Sequence, residues 1–234
     1  MNARANSIGE IIDDPLLRER TRVFSGRHDA GRRLGVFLLS LPPTSEPLVL
    51  AIPAGGVPVG KEIAKTLGAP FSLAIVRKVR IPGTTESGFG AVAWDGTVLI
   101  NERLRDALFL SSSDVERAVS ETAANVKERI TRFMAGTPMP SVAGKTVILT
   151  DDGLASGFTM LAAIRSLRVR GPARVVVAFP TASRSSAELV GREADQLVCL
   201  NIRSGRSFAV ADAYEEWYDL DDSEVLAELT SIPR

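Results

Sequence analysis

The sequence predicts an α/β fold: a doubly wound, mostly parallel sheet with a β-hairpin insertion. Two observations carry this. Short β-rich apolar runs alternate with helical stretches in two separate blocks, the grammar of βαβ units and hence of a parallel sheet. Between the blocks, Asp95-Gly96 separates two strand-like runs, and this pair readily takes the positive φ angles of a type I′ hairpin turn. A length of 234 residues suits one α/β-sized domain with appendages. A composition 45% hydrophobic and 24% charged is that of a folded globular chain.

Residues 1–26 are polar and mixed, and read as an N-terminal arm before a core of 27–200. Ala30, Leu34, Phe37 and Leu38 fall at helical spacing behind Asp29, a suitable N-cap, and Pro42 and Pro43 stop that helix. The first block follows. LVLAIP (48–53) is a strand ending at Gly55-Gly56; VPVGKEIAKTLG (57–68) is a helix with Pro58 in its first turn and Gly68 at its end; FSLAIVRK (71–78) is a second strand. Residues 79–90, rich in Gly, Thr and Ser, read as a loop, and AVAW and TVLI flank Asp95-Gly96 as the hairpin. A helix opened by Asp114 after three serines runs to about 134, before Gly136 and Pro138. The second block comprises a buried strand at 145–151, a helix at 158–170, a strand at 173–180, a helix at 183–193 and a strand at 196–200. The tail, 201–234, carries Phe208, Tyr214, Trp217 and Tyr218, expected to pack over the sheet edge, then an acidic helix after Asp222.

Composition removes several functions. Lys plus Arg equals Asp plus Glu at 28 each, so no global field draws in nucleic acid, and no nucleic-acid partner is expected. The single cysteine, Cys199, ends an apolar run and reads as a buried small hydrophobe; it permits neither an internal disulfide nor a cysteine-rich zinc site. His28, the single histidine, reads as a surface residue at a helix start, and no strained Gly-x-Ser-x-Gly turn accompanies it. The string Gly88-Phe89-Gly90-Ala91-Val92-Ala93 has dinucleotide-fingerprint spacing but precedes a hairpin instead of opening a helix, and no triphosphate P-loop occurs. Without an apolar signal core or a membrane-length apolar run, a cytoplasmic enzyme with no membrane partner is expected.

In doubly wound sheets ligands sit beyond the carboxyl ends of strands, where strand order reverses. The informative residues therefore follow 48–53 and 145–151. After the second of these strands stand Asp151 and Asp152, then Gly153, Leu154, Ala155, Ser156, Gly157, Phe158 and Thr159, which lead into a helix. The free N–H groups and positive dipole end of a helix N-terminus form an anion site. Gly157 lets backbone approach an anion, and Ser156 and Thr159 add hydroxyl donors. The two acids repel phosphate but suit sugar hydroxyls or a metal-bound sugar phosphate. Together they describe a ribose 5-phosphate site.

This stretch resembles the phosphoribosyl-pyrophosphate (PRPP) signature of type I phosphoribosyltransferases. There, apolar residues precede two acids, two variable residues, a small residue, Thr, Gly, any residue and Thr. Ser156 here replaces the first Thr and keeps its hydroxyl. DAGRRL (29–34), AIPAGGVPVGKEIAKTLGAP (51–70), VRK (76–78) and GAVAWDG (90–96) are also similar to a bacterial and archaeal group in that family. The resemblance implies a pentosyltransferase of nucleotide salvage that uses PRPP and Mg²⁺. Such an enzyme releases pyrophosphate, accepts a nucleobase or related heterocycle, forms a homodimer and carries a small hood built from the chain termini. It implies that Asp151 and Asp152 hold the ribose hydroxyls, in part through Mg²⁺, and that Gly153 to Thr159 form the PRPP loop, with Ala155 to Thr159 cradling the 5-phosphate. Pro53, Ala54, Gly55 and Gly56 match the pyrophosphate loop, often with a non-proline cis peptide in relatives. Arg77 and Lys78 add charge near the leaving group, and residues 79–90 form a lid with Lys78 or Arg80 at its base. The group usually reads Pro-Arg-Gly-Gly where this chain has Ala54, so a bidentate phosphate partner is missing. Arg77, Lys78 or a partner subunit's arginine must then supply the charge, or diphosphate binds weakly. Two other functions compete: a PRPP- or nucleotide-sensing regulator without turnover, and a hydrolase of phosphoribosyl compounds.

Overall fold

The computed structural model describes residues 9–42, 44–84, 87–205 and 207–230. Expectations for Pro43, for Thr85 and Glu86 of the lid, for residues 1–8 of the arm and for the last four residues lie outside these. The elements run β1 (Glu10–Asp13), α1 (Arg27–Leu39), β2 (Pro47–Ala51), α2 (Gly56–Leu67), β3 (Phe71–Leu73), β4 (Val76–Arg80), β5 (Gly88–Ala93), β6 (Val98–Ile100), α3 (Glu102–Ala107) and α4 (Ser112–Met134). They continue with β7 (Thr146–Thr150), α5 (Phe158–Arg168), β8 (Arg174–Ser183), α6 (Arg184–Gly191), β9 (Gln196–Arg203), a 3₁₀ turn (Val210–Ala213) and α7 (Asp222–Thr230).

The main sheet has six parallel strands in the order β1-β9-β8-β7-β2-β3. From β2 the chain goes to β3 on one side and later to β7 on the other. The reversal of order therefore falls between β2 and β7, whose last paired residues are Ala51 and Thr150. Alternation along each strand divides the core into two layers, as the pleat requires. Leu48, Leu50, Val147 and Leu149 pack with Met160, Ile164 and Leu167 of α5. Val49 and Ile148 face the other way, onto Leu34 of α1 and Val59 and Ile63 of α2. Cys199 is buried in the first layer, and burial pushes its thiol pKa up.

Four of the differences from the sequence-based expectation have a clear physical reason; in addition, α3 is not expected from the sequence, and β8 and β9 run on to Ser183 and Arg203. The run 71–78 is two strands. Phe71–Leu73 pairs with β2, and after Ala74-Ile75 the chain enters a second, antiparallel sheet of order β4-β5-β6. An apolar run does not disclose which sheet its backbone bonds to. Five of the residues 79–90 are strand for the same reason: Val79-Arg80 and Gly88-Gly90 continue the hairpin. Residues 10–13 are an edge strand parallel to β9, too short and polar a run to stand out. Helix α1 starts at Arg27, so Asp29 sits inside its first turn and accepts from the Ser25 N–H (3.3 Å) instead of occupying the N-cap.

Asp95-Gly96 does turn the hairpin between β5 and β6, with Gly96 at φ 88°. Helix α4 opens with a reciprocal capping box: Ser111 Oγ accepts from the Asp114 N–H and the Asp114 carboxylate accepts from the Ser111 N–H. Tyr214 of the aromatic tail reaches the loop after β7, where its hydroxyl donates to the Asp152 carbonyl. The Tyr214 ring is buried between Phe24 and Trp217, with centroids 5.6 Å and 5.1 Å away. Among the described residues no helix is long and apolar enough to cross a membrane.

Candidate functional site

Two loops leave the sheet side by side at the reversal, one after β2 and one after β7. Register brings them level, and the Ile52 N–H donates to the Thr150 carbonyl at 2.9 Å. In the first loop the Pro53–Ala54 peptide is cis, and α2 begins at Gly56. A Cβ at Gly55 would lie 1.8 Å from Asp152 Oδ2, and one at Gly56 would lie 2.9 Å from Asp151 Cα. Glycine at both positions is what lets the first loop rest on the acid pair of the second.

The second loop is pinned before it reaches its helix. The Leu154 N–H donates to the Thr181 carbonyl (2.9 Å), and the Ser183 N–H donates to the Leu154 carbonyl (3.1 Å). The Ala155 carbonyl accepts from the hydroxyls of Ser183 and Ser186. Gly157 then takes φ 80° as the N-cap of α5, with no side-chain cap on the first turn. Its free N–H groups are therefore open to an anion.

Between the loops and β4 lies a cavity of about 310 Å³. Pro53, Asp151, Gly153, Leu154, Ala155, Ser156, Gly157 and Thr159 line it, and Arg77, Lys78 and Arg80 close it from the hairpin. Ala54, Gly55, Gly56, Asp152 and Phe158 do not. Ala54 packs against the hairpin's apolar cluster, and Phe158 against the sheet core. Arg77 borders the cavity, but its charged neighbours are Arg129, Arg80 and Asp222. Burial first, then the two cations, lower its affinity for its proton.

The acids have unequal surroundings. Burial pushes both above the usual carboxylate range. The charge of Asp152 raises Asp151 further, whereas the Arg27 guanidinium opposes the rise at Asp152. Arg27 Nε donates to Asp152 Oδ2 at 2.9 Å, and the Tyr214 hydroxyl donates to the Asp152 carbonyl at 2.6 Å. The sequence assigns Arg27 no site role, and places Tyr214 in an aromatic tail that packs on the sheet or, alternatively, stacks on an acceptor base. Arg27 stands 125 residues before its partner, and no local pattern links them. His28 is half-exposed, with Nε2 2.8 Å from Glu228 and Nδ1 3.5 Å from Glu62.

Among the described residues no three His, Cys, Asp or Glu side chains gather to hold an ion. A pair of adjacent carboxylates is nonetheless a hard-oxygen donor set. It suits Mg²⁺, which keeps several waters and commonly binds through one or two carboxylates plus substrate phosphates.

An open α/β sheet with an adjacent acid pair and an uncapped helix N-terminus at its switch point has the site geometry of ligand-binding doubly wound folds. The particular family is also clear: the chain belongs to the phosphoribosyl transferase domain family, whose model matches residues 29–213. Two curated proteins from Mycobacterium tuberculosis strains, each named "Putative phosphoribosyl transferase", are 33% identical over 206 residues. That alignment covers 88% of this chain and 46% of theirs, so the chain spans about half the length of these relatives. The crystal structure of TT1426 from Thermus thermophilus is 34% identical, with a TM-score of 0.72, and covers 88% of this chain and 97% of that one.

Proposed function

We propose that this chain transfers the ribose 5-phosphate of PRPP to a nucleobase or related heterocycle and releases pyrophosphate. One observation carries the reading: Asp151, the uncapped first turn of α5 and the cations of β4 share a single cavity at the switch point. The N–H groups of 155–159 and the hydroxyls of Ser156 and Thr159 bind the 5-phosphate. Asp151 accepts from the ribose hydroxyls, with Asp152 behind it. Pro53 to Gly56, Lys78 and Arg80 receive the diphosphate, with Arg77 adding charge at the rim.

Displacement at the anomeric carbon passes through an oxocarbenium-like state, so no protein nucleophile is required. The chain's own contribution is to hold the sugar, orient the acceptor and favour departure of the diphosphate with nearby cations. Mg²⁺, held by Asp151 with Asp152 acting indirectly behind it, would neutralise diphosphate charge when bound. Residues 79–90, the lid that the family resemblance implies, would exclude water, which matters because hydrolysis is the competing outcome.

Ala54 favours a second reading, a PRPP sensor without turnover, since the loop lacks an arginine. Pyrophosphate release from PRPP across a panel of bases separates the possibilities. Base-dependent release supports the transferase. Base-independent release identifies a hydrolase, and binding without release identifies the sensor.

A further inference from the structure

We infer that Arg27 is a positioning residue: together with the Trp217-Tyr218 segment it fixes Asp152 against the Gly55 turn, so the C-terminal tail sets the geometry of the substrate site. This deepens the PRPP reading and rests on it for the substrate's identity. It also goes beyond the family match, because Arg27 precedes the matched residues 29–213 and Trp217 and Tyr218 follow them.

The Arg27 side chain is 7% exposed and that of Asp152 16%, so each charge needs its partner. Two polar contacts of the guanidinium among the described residues tie the acid pair to the C-terminal tail. Its Nε donates to Asp152 Oδ2 (2.9 Å), and its Nη1 donates to the Tyr218 carbonyl (2.8 Å). Its plane lies over the Trp217 ring at 4.0 Å, a cation–π contact that fixes its height. The same carboxylate oxygen lies beside Gly55, where a Cβ would stand 1.8 Å from Oδ2. The acid is thus gripped between the arginine and the turn, and its own carbonyl is held by Tyr214 (2.6 Å). This divides labour within the acid pair. Asp151 faces the cavity, and Asp152 braces the Pro53–Gly56 turn that borders it.

The test compares the full chain with Arg27→Gln, Arg27→Lys and Trp217→Leu. Hydrogen exchange without ligand comes first. Arg27→Gln should speed exchange of the amides at 53–57 and 151–154, Arg27→Lys should partly restore them, and Trp217→Leu should loosen the same amides although it lies far away in sequence. With PRPP, Arg27→Gln should raise KM for PRPP about 10- to 100-fold, the range seen on removing the partner that orients a ligating carboxylate, with a smaller change in kcat. Wild-type exchange at 53–57 in a folded Arg27→Gln protein would overturn the inference, as would a Lys variant no better than Gln. Should Arg27→Gln fail to fold, Trp217→Leu decides alone: unchanged exchange at 151–154 defeats the idea. If the wild-type chain does not bind PRPP, the function proposed above falls, whereas the exchange data still settle the role of Arg27.

Discussion

Asp151 shows how a functional residue can act against the fold that carries it. Its carboxyl is held above the ordinary range by burial and by the adjacent Asp152 charge. An acid whose folded pKa is raised favours the folded state when protonated and opposes it when ionised, so near neutral pH its charge is a standing cost. Asp151→Asn should therefore raise the thermal midpoint, by the equivalent of about 0.5–2 kcal/mol, the usual gain from relieving such a site. The same change should weaken PRPP binding about 10- to 100-fold, since a hydrogen bond to a charged group is lost. Calorimetry and a melting curve on one sample check both, and a lower midpoint with unchanged affinity would refute the assignment. Ala54→Arg makes the opposite kind of change. It supplies the guanidinium the loop lacks and should tighten pyrophosphate inhibition; no change would mean that the loop is only a turn. Gly55→Ala should cost about 1–3 kcal/mol by overpacking against Asp152, read by chemical denaturation.

Among the elements, α4 is the longest described helix, and most of it was legible because its signals are local. Three serines and Asp114 at its start become the capping box seen in the structure. Ser111→Ala should cost about 1 kcal/mol, measured by denaturant midpoint. Because Ser111 is not among the residues that line the cavity, PRPP affinity should stay near wild type. The hairpin was legible in its turn but not in its extent. Asp95-Gly96 marks where the chain reverses, whereas the pairing of Lys78 with Ala91 and of Val79 with Gly90 depends on a partner strand that composition does not reveal. The glycines at 88 and 90 look like loop residues in a sequence and serve as strand residues here.

Across the whole molecule, α7 is tied to α1 and α2 through Glu228. Partial burial works to raise this carboxyl, but its bond from Lys61 Nζ (2.7 Å) and the neighbouring His28 outweigh that and hold it below the usual glutamate range. A depressed acid adds stability above the unfolded value of 4.5, and that contribution is lost as the pH falls through the lower folded value. Glu228→Gln should thus lower stability at neutral pH and flatten the acid limb of the stability profile. Identical slopes in the two proteins below pH 4.5 would show that the tie contributes nothing.

The sequence alone determined what short-range chemistry specifies. The two βαβ blocks, the Asp-Gly turn and the acid pair leading through Ser156-Gly157 into a helix are each written in contiguous residues, because strands, turns and helix starts follow from neighbours along the chain. Tertiary structure alone decided which strands share a sheet, that residues 10–13 extend it, and that Asp151 rather than Asp152 faces the cavity. It also decided that Arg27 and Tyr214 converge on Asp152 from opposite ends of the chain. Those outcomes depend on which surfaces meet after the backbone is paired and the core is filled. Contacts between residues 62 and 125 positions apart leave no periodic mark in a sequence.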